Sequence, residues 1–268
     1  MNNVSILVIA LSVMAGLTVR AGASEAIDTS YPAERIEEIV VETAAGPISL
    51  SAGSDQVVRV TAPASGDECE MTAKVGGGVL TLLARGLVKK TFMLDRACMA
   101  GFSIIAPAGT RIKARTVSGP VDVGEFSAGV DVKTGAGDIF LRRPSGHLTL
   151  HTGRGSISGA ATGPSISAVA QYGAIELREL TGSVTARSGE AGVSLTWVSA
   201  PGRGEIRVET TTGHQTVALP SGTRIALSMR SDSGVTTSEF VNEPLAKLQL
   251  QLRSTTGAIA VKKLSAQR

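Results

Sequence analysis

GDIFLRRPS (residues 137–145), GHLTLHTGR (146–154) and GSISGAATG (155–163) are three successive nonapeptides with one layout. Each opens on glycine, carries an aliphatic residue third, and closes on polar or turn-forming residues. Working outward, an aliphatic residue stands at every ninth position from Ile112 to Val193: Ile112, Val121, Val130, Ile139, Leu148, Ile157, Ile166, Ile175, Val184 and Val193. Spacing this regular marks a repeat architecture. The fifth slot is mostly apolar too, with Ala114, Val123, Val132, Leu141, Leu150, Gly159, Ala168, Leu177, Ala186 and Leu195. Side chains two apart point to the same side of a strand. Each nonapeptide therefore reads as a short strand with one apolar face, followed by a bend.

A lone short strand cannot bury that face; it needs an opposing face and neighbours above and below. Two nonapeptides supply two strands and two bends, one coil of a flattened solenoid. The bends support that unit. In alternate nonapeptides Thr116, Thr134 and Thr152 precede Gly119, Gly137 and Gly155 by three residues, with Ala170 before Gly173 and Ser188 before Ala191 continuing the series. Glycine supplies the positive φ of a sharp corner, and Thr or Ser is expected to bond the local backbone. The intervening bends differ: Pro144-Ser145-Gly146, Thr162-Gly163-Pro164, Leu180-Thr181-Gly182. Two alternating bend types set the period at two nonapeptides.

The same pattern returns outside the regular block. Ile39, Val41, Thr43, Gly46, Ile48 and Leu50 match it, as do Leu250, Leu252, Ser254, Gly257, Ile259 and Val261. Ile206, Val208, Thr210 and Gly213 match its first half, with Gln215 and Val217 weaker beyond. Composition agrees: 31 Gly and only 3% aromatic residues in 268 suit a core one side chain deep. With 18% charged residues, the chain does not read as disordered.

Val4 to Val19 is a short apolar run ahead of Arg20-Ala21-Gly22-Ala23. Ala21-x-Ala23 satisfies a signal-peptidase site, although Met1-Asn2-Asn3 supplies no Lys or Arg. A buried strand or a retained anchor is the other reading of this run. No later stretch is long and apolar enough to span a bilayer. In an exported chain the pair Cys69 and Cys98 reads as a disulfide; the alternative is two buried thiols.

The expected organisation is residues 1–23 as signal peptide, 24–109 as an N-terminal β region opening the solenoid, 110–199 as the regular block, and 200–268 as irregular C-terminal coils. Residues 24–268 form one domain. Met71 to Val75, Gly76-Gly77-Gly78 and Val79 to Leu83 read as a hairpin. The motif Ile39–Leu50, the segment Ala106-Pro107-Ala108-Gly109, and Gly137-Asp138-Ile139, Gly155-Ser156-Ile157 and Gly173-Ala174-Ile175 together resemble the bacterial DUF4097 family, adhesin-named domains of unknown function, over roughly residues 39–262. The resemblance implies a β-solenoid and brings no catalytic residues. The family's Ser-Gly-Asp bend survives here only as Gly137-Asp138.

The slot after the second apolar residue holds Arg115, Gly124, Lys133, Arg142, His151, Ala160, Val169, Arg178, Arg187 and Thr196. A calcium-binding nonapeptide roll needs a row of Asp carboxylates, and this row has none. On one wall the slot reads Arg115, Lys133, His151, Val169, Arg187, with Lys113 beside Arg115. Stacked like charges repel. The stripe Lys113, Arg115, Lys133, His151 and Arg187 is then either a solvated strand surface or a binding strip for an acidic glycan or lipid head group. A net charge of +3 argues against a dedicated nucleic-acid binder.

No cofactor or metal is expected. His147 and His151 lack a third ligand nearby, and no Gly-x-Ser-x-Gly elbow occurs. On the other wall Asp122 and Glu176 are three coils apart, about 14 Å, beyond the ~5–9.5 Å of glycosidase pairs. Phe140 is expected outward; Phe140 and Trp197 each either stack on a sugar or pack under a loop.

The sequence thus predicts an all-β, single-stranded parallel β-solenoid (a β-helix or β-roll of about 18 residues per coil), right-handed by the usual crossover preference, with an N-terminal β region. Its expected role is non-enzymatic: an exported adhesin or binding module at the periplasm or cell surface, partnered by an acidic glycan or envelope component. A scaffold self-assembling through open solenoid ends and a polysaccharide-active enzyme are the alternatives.

Overall fold

Successive nonapeptides alternate between two β-sheets. In the computed structural model, which describes residues 19–20, 26–53, 56–65, 69–86 and 98–264, the strands Arg111–Ser118, Val130–Ala136, Leu148–Arg154, Ser165–Ala170 and Ser183–Ser188 lie side by side in one sheet. Val121–Val123, Ile139–Arg142, Ile157–Ala160, Ile175–Leu180 and Val193–Trp197 lie in the other. Each strand pairs in parallel with the next member of its own sheet at an offset of 18 residues, as in Val130 beside Leu148 and Ile139 beside Ile157. The ninth-residue ladder therefore splits into two columns. Ile139, Ile157 and Ile175 stand one above another in one; Val130, Leu148, Ile166 and Val184 stand in the other.

Both columns are buried in one continuous apolar core. Each buried Val, Leu or Ile contributes about 1.5–3 kcal/mol of hydrophobic stabilisation. Repetition of one modest burial event, rung after rung, holds the two walls together. Each sheet has 12 strands among the described residues. No helix there is long and apolar enough to cross a membrane.

The bends join the rungs as well as turning the chain. The Thr134 hydroxyl donates to the Gly119 carbonyl at 3.2 Å, Thr152 to Gly137 at 2.9 Å, and Ser188 to Gly173 at 3.0 Å. These buried hydroxyls reach the preceding coil, where a bond to their own bend was expected. Thr116 keeps the local pattern, donating to the Ser118 carbonyl at 3.1 Å, and Ser188 Oγ keeps it as well by accepting the Ala191 amide of its own bend at 3.2 Å. Asp138 does similar work at this same bend, accepting the Ser156 amide of the next rung at 2.7 Å.

The N-terminal motif stacks directly on the regular block. Ile39 lies beside Ile112 and Ile48 beside Val121, across more than fifty intervening residues. Strands from that interval extend the two sheets on the far side. The expected hairpin is present as Cys69–Gly76 paired antiparallel with Val79–Gly86. Val57–Ala62 lies between Ile27–Pro32 and Phe102–Pro107, antiparallel to both. A disulfide joins Cys69 to Cys98, and both are buried.

Two corrections follow to the single-stranded parallel coil expected from the repeat. The strands assemble as two distinct sheets, and the N-terminal region is partly antiparallel. The reason is local: a tight turn such as Gly77-Gly78 reverses the chain, whereas the longer route through a bend and the opposite wall returns a strand parallel to its predecessor. Val19–Arg20 pairs antiparallel with Cys69–Gly76; the rest of the expected signal peptide, and Lys89-Lys90, lie outside the described residues.

At the other end, order in sequence and order in space part company. Leu248–Thr256 sits between Gly204–Thr212 and Ala226–Ser233, and Ile259–Leu264 between Gln215–Pro220 and Thr236–Ser238. Gln215 occupies a ladder position beside Val193. Its buried Nε2 donates to Thr210 Oγ1 at 2.9 Å and to the Arg253 carbonyl at 2.6 Å, while its buried Oε1 has no hydrogen-bond partner among the described residues, so the amide is only half satisfied in an otherwise aliphatic column.

Candidate functional site

Strand alternation that buries the ladder turns its neighbours outward. On the wall containing Arg111–Ser118 one outward row reads Glu42, Arg115, Lys133, His151, Val169, Arg187, Glu209 across successive rungs. Adjacent members sit about 4.8 Å apart at the backbone. Lys113 belongs to the next outward row, with Val40, Asp131, Thr149, Ser167, Thr185 and Arg207. All five basic residues expected to share a surface do so, four of them in one row.

Counter-charges close both ends of that row. Arg115 pairs with Glu42 at 3.6 Å and Lys113 with Glu38 at 2.8 Å. Arg187 donates to Glu209 at 2.7 Å, and Arg207 Nε reaches the other oxygen of the same carboxylate at 2.8 Å. Lys133 and His151, in the middle, have no ion pair among the described residues. The charge available to a partner is therefore concentrated at the centre of the stripe.

Beside this row runs a trough floored by backbone. Gly135, Gly153 and Gly189 occupy the outward column next to it, and a Cβ on each would stand 2.6, 2.5 and 2.3 Å from the carbonyl oxygen of the rung below. A side chain is excluded there by main chain, which cannot move aside. The groove has a volume of about 800 Å³ and is lined by Arg85, Arg115, Lys133, His151, Val117, Gly135 and Gly153. A second depression of about 660 Å³ continues it past Gln171 and Arg187. A polymer lying along the stacking axis would meet cations on one flank and bare backbone beneath.

Arg187 hydrogen-bonding, aided by Arg207, holds the Glu209 carboxyl below the usual carboxylate range despite the opposing effect of burial. A carboxyl depressed in the folded chain adds stability above the unfolded value and loses it as pH falls through the folded value. Acidification from about pH 7 to about pH 3 is expected to lower Tm more for the wild type than for Glu209→Gln, so that the gap between them narrows. Equal losses in a thermal scan at both pH values would contradict a stabilising role for this cluster.

On the opposite wall Phe140 is exposed as expected, and Trp197 is fully buried, its Nε1 donating to the Gly182 carbonyl at 2.9 Å. Asp122 and Glu176 stand three strands apart. Arg142 engages Asp122. Ala160, placed outward by the nine-residue spacing, is buried instead; the left-handed Gly159 before it shifts the strand's alternation by one.

The acidic caps Glu38, Glu42 and Glu209 were not singled out from the sequence. A signal exists: Ile39-Val40-Val41-Glu42-Thr43 and Ile206-Arg207-Val208-Glu209-Thr210 follow Ile112-Lys113-Ala114-Arg115-Thr116 slot for slot. Aligning them places an acid where the regular block has a base.

No family model matches this chain, and no curated protein matches it. Solved structures do. A "putative adhesin" from Parabacteroides distasonis is 14% identical, covers 91% of this chain and 98% of its own, and superposes with a TM-score of 0.50. A "putative adhesin" from Parabacteroides merdae is 9% identical over 91% and 98% of the two chains, TM-score 0.44. A "putative lipid binding protein" from Parabacteroides distasonis is 13% identical over 93% and 97%, TM-score 0.38. None of these names is an enzyme's. At such identity the first establishes likeness of fold, an all-β chain of two large, mostly parallel sheets, and nothing about ligand.

Proposed function

We propose that this chain is an exported, non-enzymatic binding module of the bacterial cell envelope: a parallel β-solenoid of the DUF4097 kind whose basic wall holds an extended acidic glycan. One observation carries the reading. Arg115, Lys133 and His151 stand in consecutive rungs beside the glycine trough. Arg115 and His151 are two rungs apart, about 10 Å, so a chain of regularly spaced carboxylates can follow the row without bending. Lys133 and His151, which have no ion pair among the described residues, can receive it. Arg115 and Arg187 can exchange their exposed carboxylate partners for the ligand's at little cost, because exposed ion pairs are worth only about 0–1 kcal/mol.

Polygalacturonate serves as the probe and neutral dextran as the control, with binding followed calorimetrically at two salt concentrations. Polygalacturonate is expected to bind, to weaken as salt screens the charges, and to lose about tenfold in affinity or more, ~1.4 kcal/mol, in the combined variant Arg115→Glu, Lys133→Glu, Arg187→Glu. Polygalacturonate binding no better than dextran, or binding indifferent to both salt and charge reversal, would remove the proposal.

A second reading, end-to-end assembly, has its own observation. Ala226–Ser233 forms one edge of its sheet, where Leu227 and Met229, register partners of the buried Leu250 and Leu252, are covered only in part. An edge strand of this kind can pair with another chain. Light scattering is then expected to show mass rising with concentration and falling on Leu227→Lys. A constant monomer mass discards this reading alone.

A further inference from the structure

The wall opposite the basic stripe carries a slot of its own. Asp122, Phe140, Ser158, Glu176 and Ser194 stand in one outward row, one per rung. In the next outward column Arg142 and Arg178 flank the rung of Ser158, which contributes nothing there. Gly159 is left-handed at φ +127°, and a Cβ on it would lie 2.1 Å from the Leu141 carbonyl oxygen. The strand shifts its alternation at that point, and Ala160 turns inward to 5% exposure. One rung in the middle of the wall is thereby reduced to a serine hydroxyl, leaving a depression of about 620 Å³. A glycine inside a strand often marks such an irregularity or the close approach of another group.

The sides of the slot are chemically unlike. Phe140, 44% exposed, forms one. Arg142 leans away from the slot, toward Asp122 on the rung beyond. Glu176 and Arg178 form the other side, two rungs from Phe140, about 10 Å at the backbone. Neither has an ion pair or side-chain hydrogen bond among the described residues. Next along the same two strands, Arg143 and Glu179, at φ 58° and 60°, form an ion pair 2.8 Å long that spans the same reduced rung.

An aromatic ring faces one carboxylate, one guanidinium and a hydroxyl across a gap one rung wide. The two free charges cancel, so the slot favours no ionic ligand. It suits a flat molecule with an apolar C–H face for the ring and hydroxyls that both donate, to Glu176, and accept, from Arg178. We propose that this slot binds a single neutral pyranose unit of a glycan, independently of the basic wall. The basic wall would follow a polymer; the slot recognises one residue.

Saturation-transfer NMR with methyl glucoside, methyl galactoside, methyl mannoside and methyl N-acetylglucosaminide tests the slot directly. At least one is expected to receive saturation, chiefly on the ring protons of one face. Affinity is expected to fall about fivefold or more in Phe140→Ala, the scale of one aromatic contact, and in Glu176→Gln. Ser158→Phe, which fills the slot from an outward position, is expected to abolish transfer while circular dichroism and Tm stay unchanged. Lys133→Glu on the other wall is expected to leave it intact. No transfer to any of the four sugars overturns the proposal, as does transfer that persists in both Phe140→Ala and Ser158→Phe. Loss of polygalacturonate binding with sugar transfer retained would count against the basic wall and not against the slot.

Discussion

Gly155→Ala is expected to destabilise the fold by about 4 kcal/mol, the sum of left-handed strain of ~1–3 kcal/mol in a non-glycine residue and overpacking of ~1–3 kcal/mol. Gly155 sits at φ +140°, and an added Cβ would stand 2.2 Å from the carbonyl oxygen of Gly137 and 2.5 Å from its carbon. Both obstructing atoms are backbone. Gly137 is itself pinned, because its carbonyl accepts the buried Thr152 hydroxyl at 2.9 Å. The same corner is closed one rung on, where a Cβ on Gly173 would stand 1.7 Å from the Gly155 carbonyl oxygen. Gly109→Ala and Gly222→Ala are the controls: neither has an atom within 4 Å of the added carbon or a left-handed φ, and surface changes of that kind stay within about 0.5 kcal/mol. Urea denaturation of the three variants measures the difference. A Gly155→Ala chain as stable as the controls would mean that the bends do not stack as described.

Removal of the disulfide by Cys69→Ala with Cys98→Ala is expected to cost about 3–4 kcal/mol, the loop-closure value for a bridge of this length, and on the order of 10 °C in Tm for a chain of this size. The two cysteines are 29 residues apart in sequence and both are buried. The bridge ties the antiparallel strand Cys69–Gly76 to the start of the segment that rejoins the core through Ala100, whose amide bonds the Ala45 carbonyl at 2.8 Å and whose carbonyl accepts the Thr43 hydroxyl at 3.0 Å. Without the bridge, the outermost N-terminal strands would rely on antiparallel pairing and a thin layer of Met71, Ala73, Leu80 and Leu82. Dithiothreitol is expected to lower the wild-type Tm by a similar amount and to leave the double variant unaffected. A wild type insensitive to dithiothreitol would show that the bridge does not support the fold.

Much of the candidate site was legible in the chain. Lys113, Arg115, Lys133, His151 and Arg187 fall on one wall because nine-residue spacing fixes both the strand and the facing of each slot. The slot on the opposite wall was not. Its floor depends on Gly159 adopting a left-handed conformation, which glycine permits and does not require. The same residue in a regular strand would have put Ala160 outward and closed the depression. The caps Glu42 and Glu209 depended on which irregular coil stacks against which regular one, a question spacing does not answer once insertions interrupt it.

The rung is written in the residues themselves: alternating apolar positions, glycine corners and a buried Thr or Ser together specify a short strand, its inner face and the bend that follows, all from interactions within a few positions. The order of the rungs is a different matter. Ile39 lands beside Ile112, and Leu248–Thr256 slips between Gly204–Thr212 and Ala226–Ser233, because strands of near-identical pattern compete for each open edge. That competition is decided by the summed pairing, side-chain fit and charge along whole strands far apart in the chain, and only the folded molecule evaluates those sums.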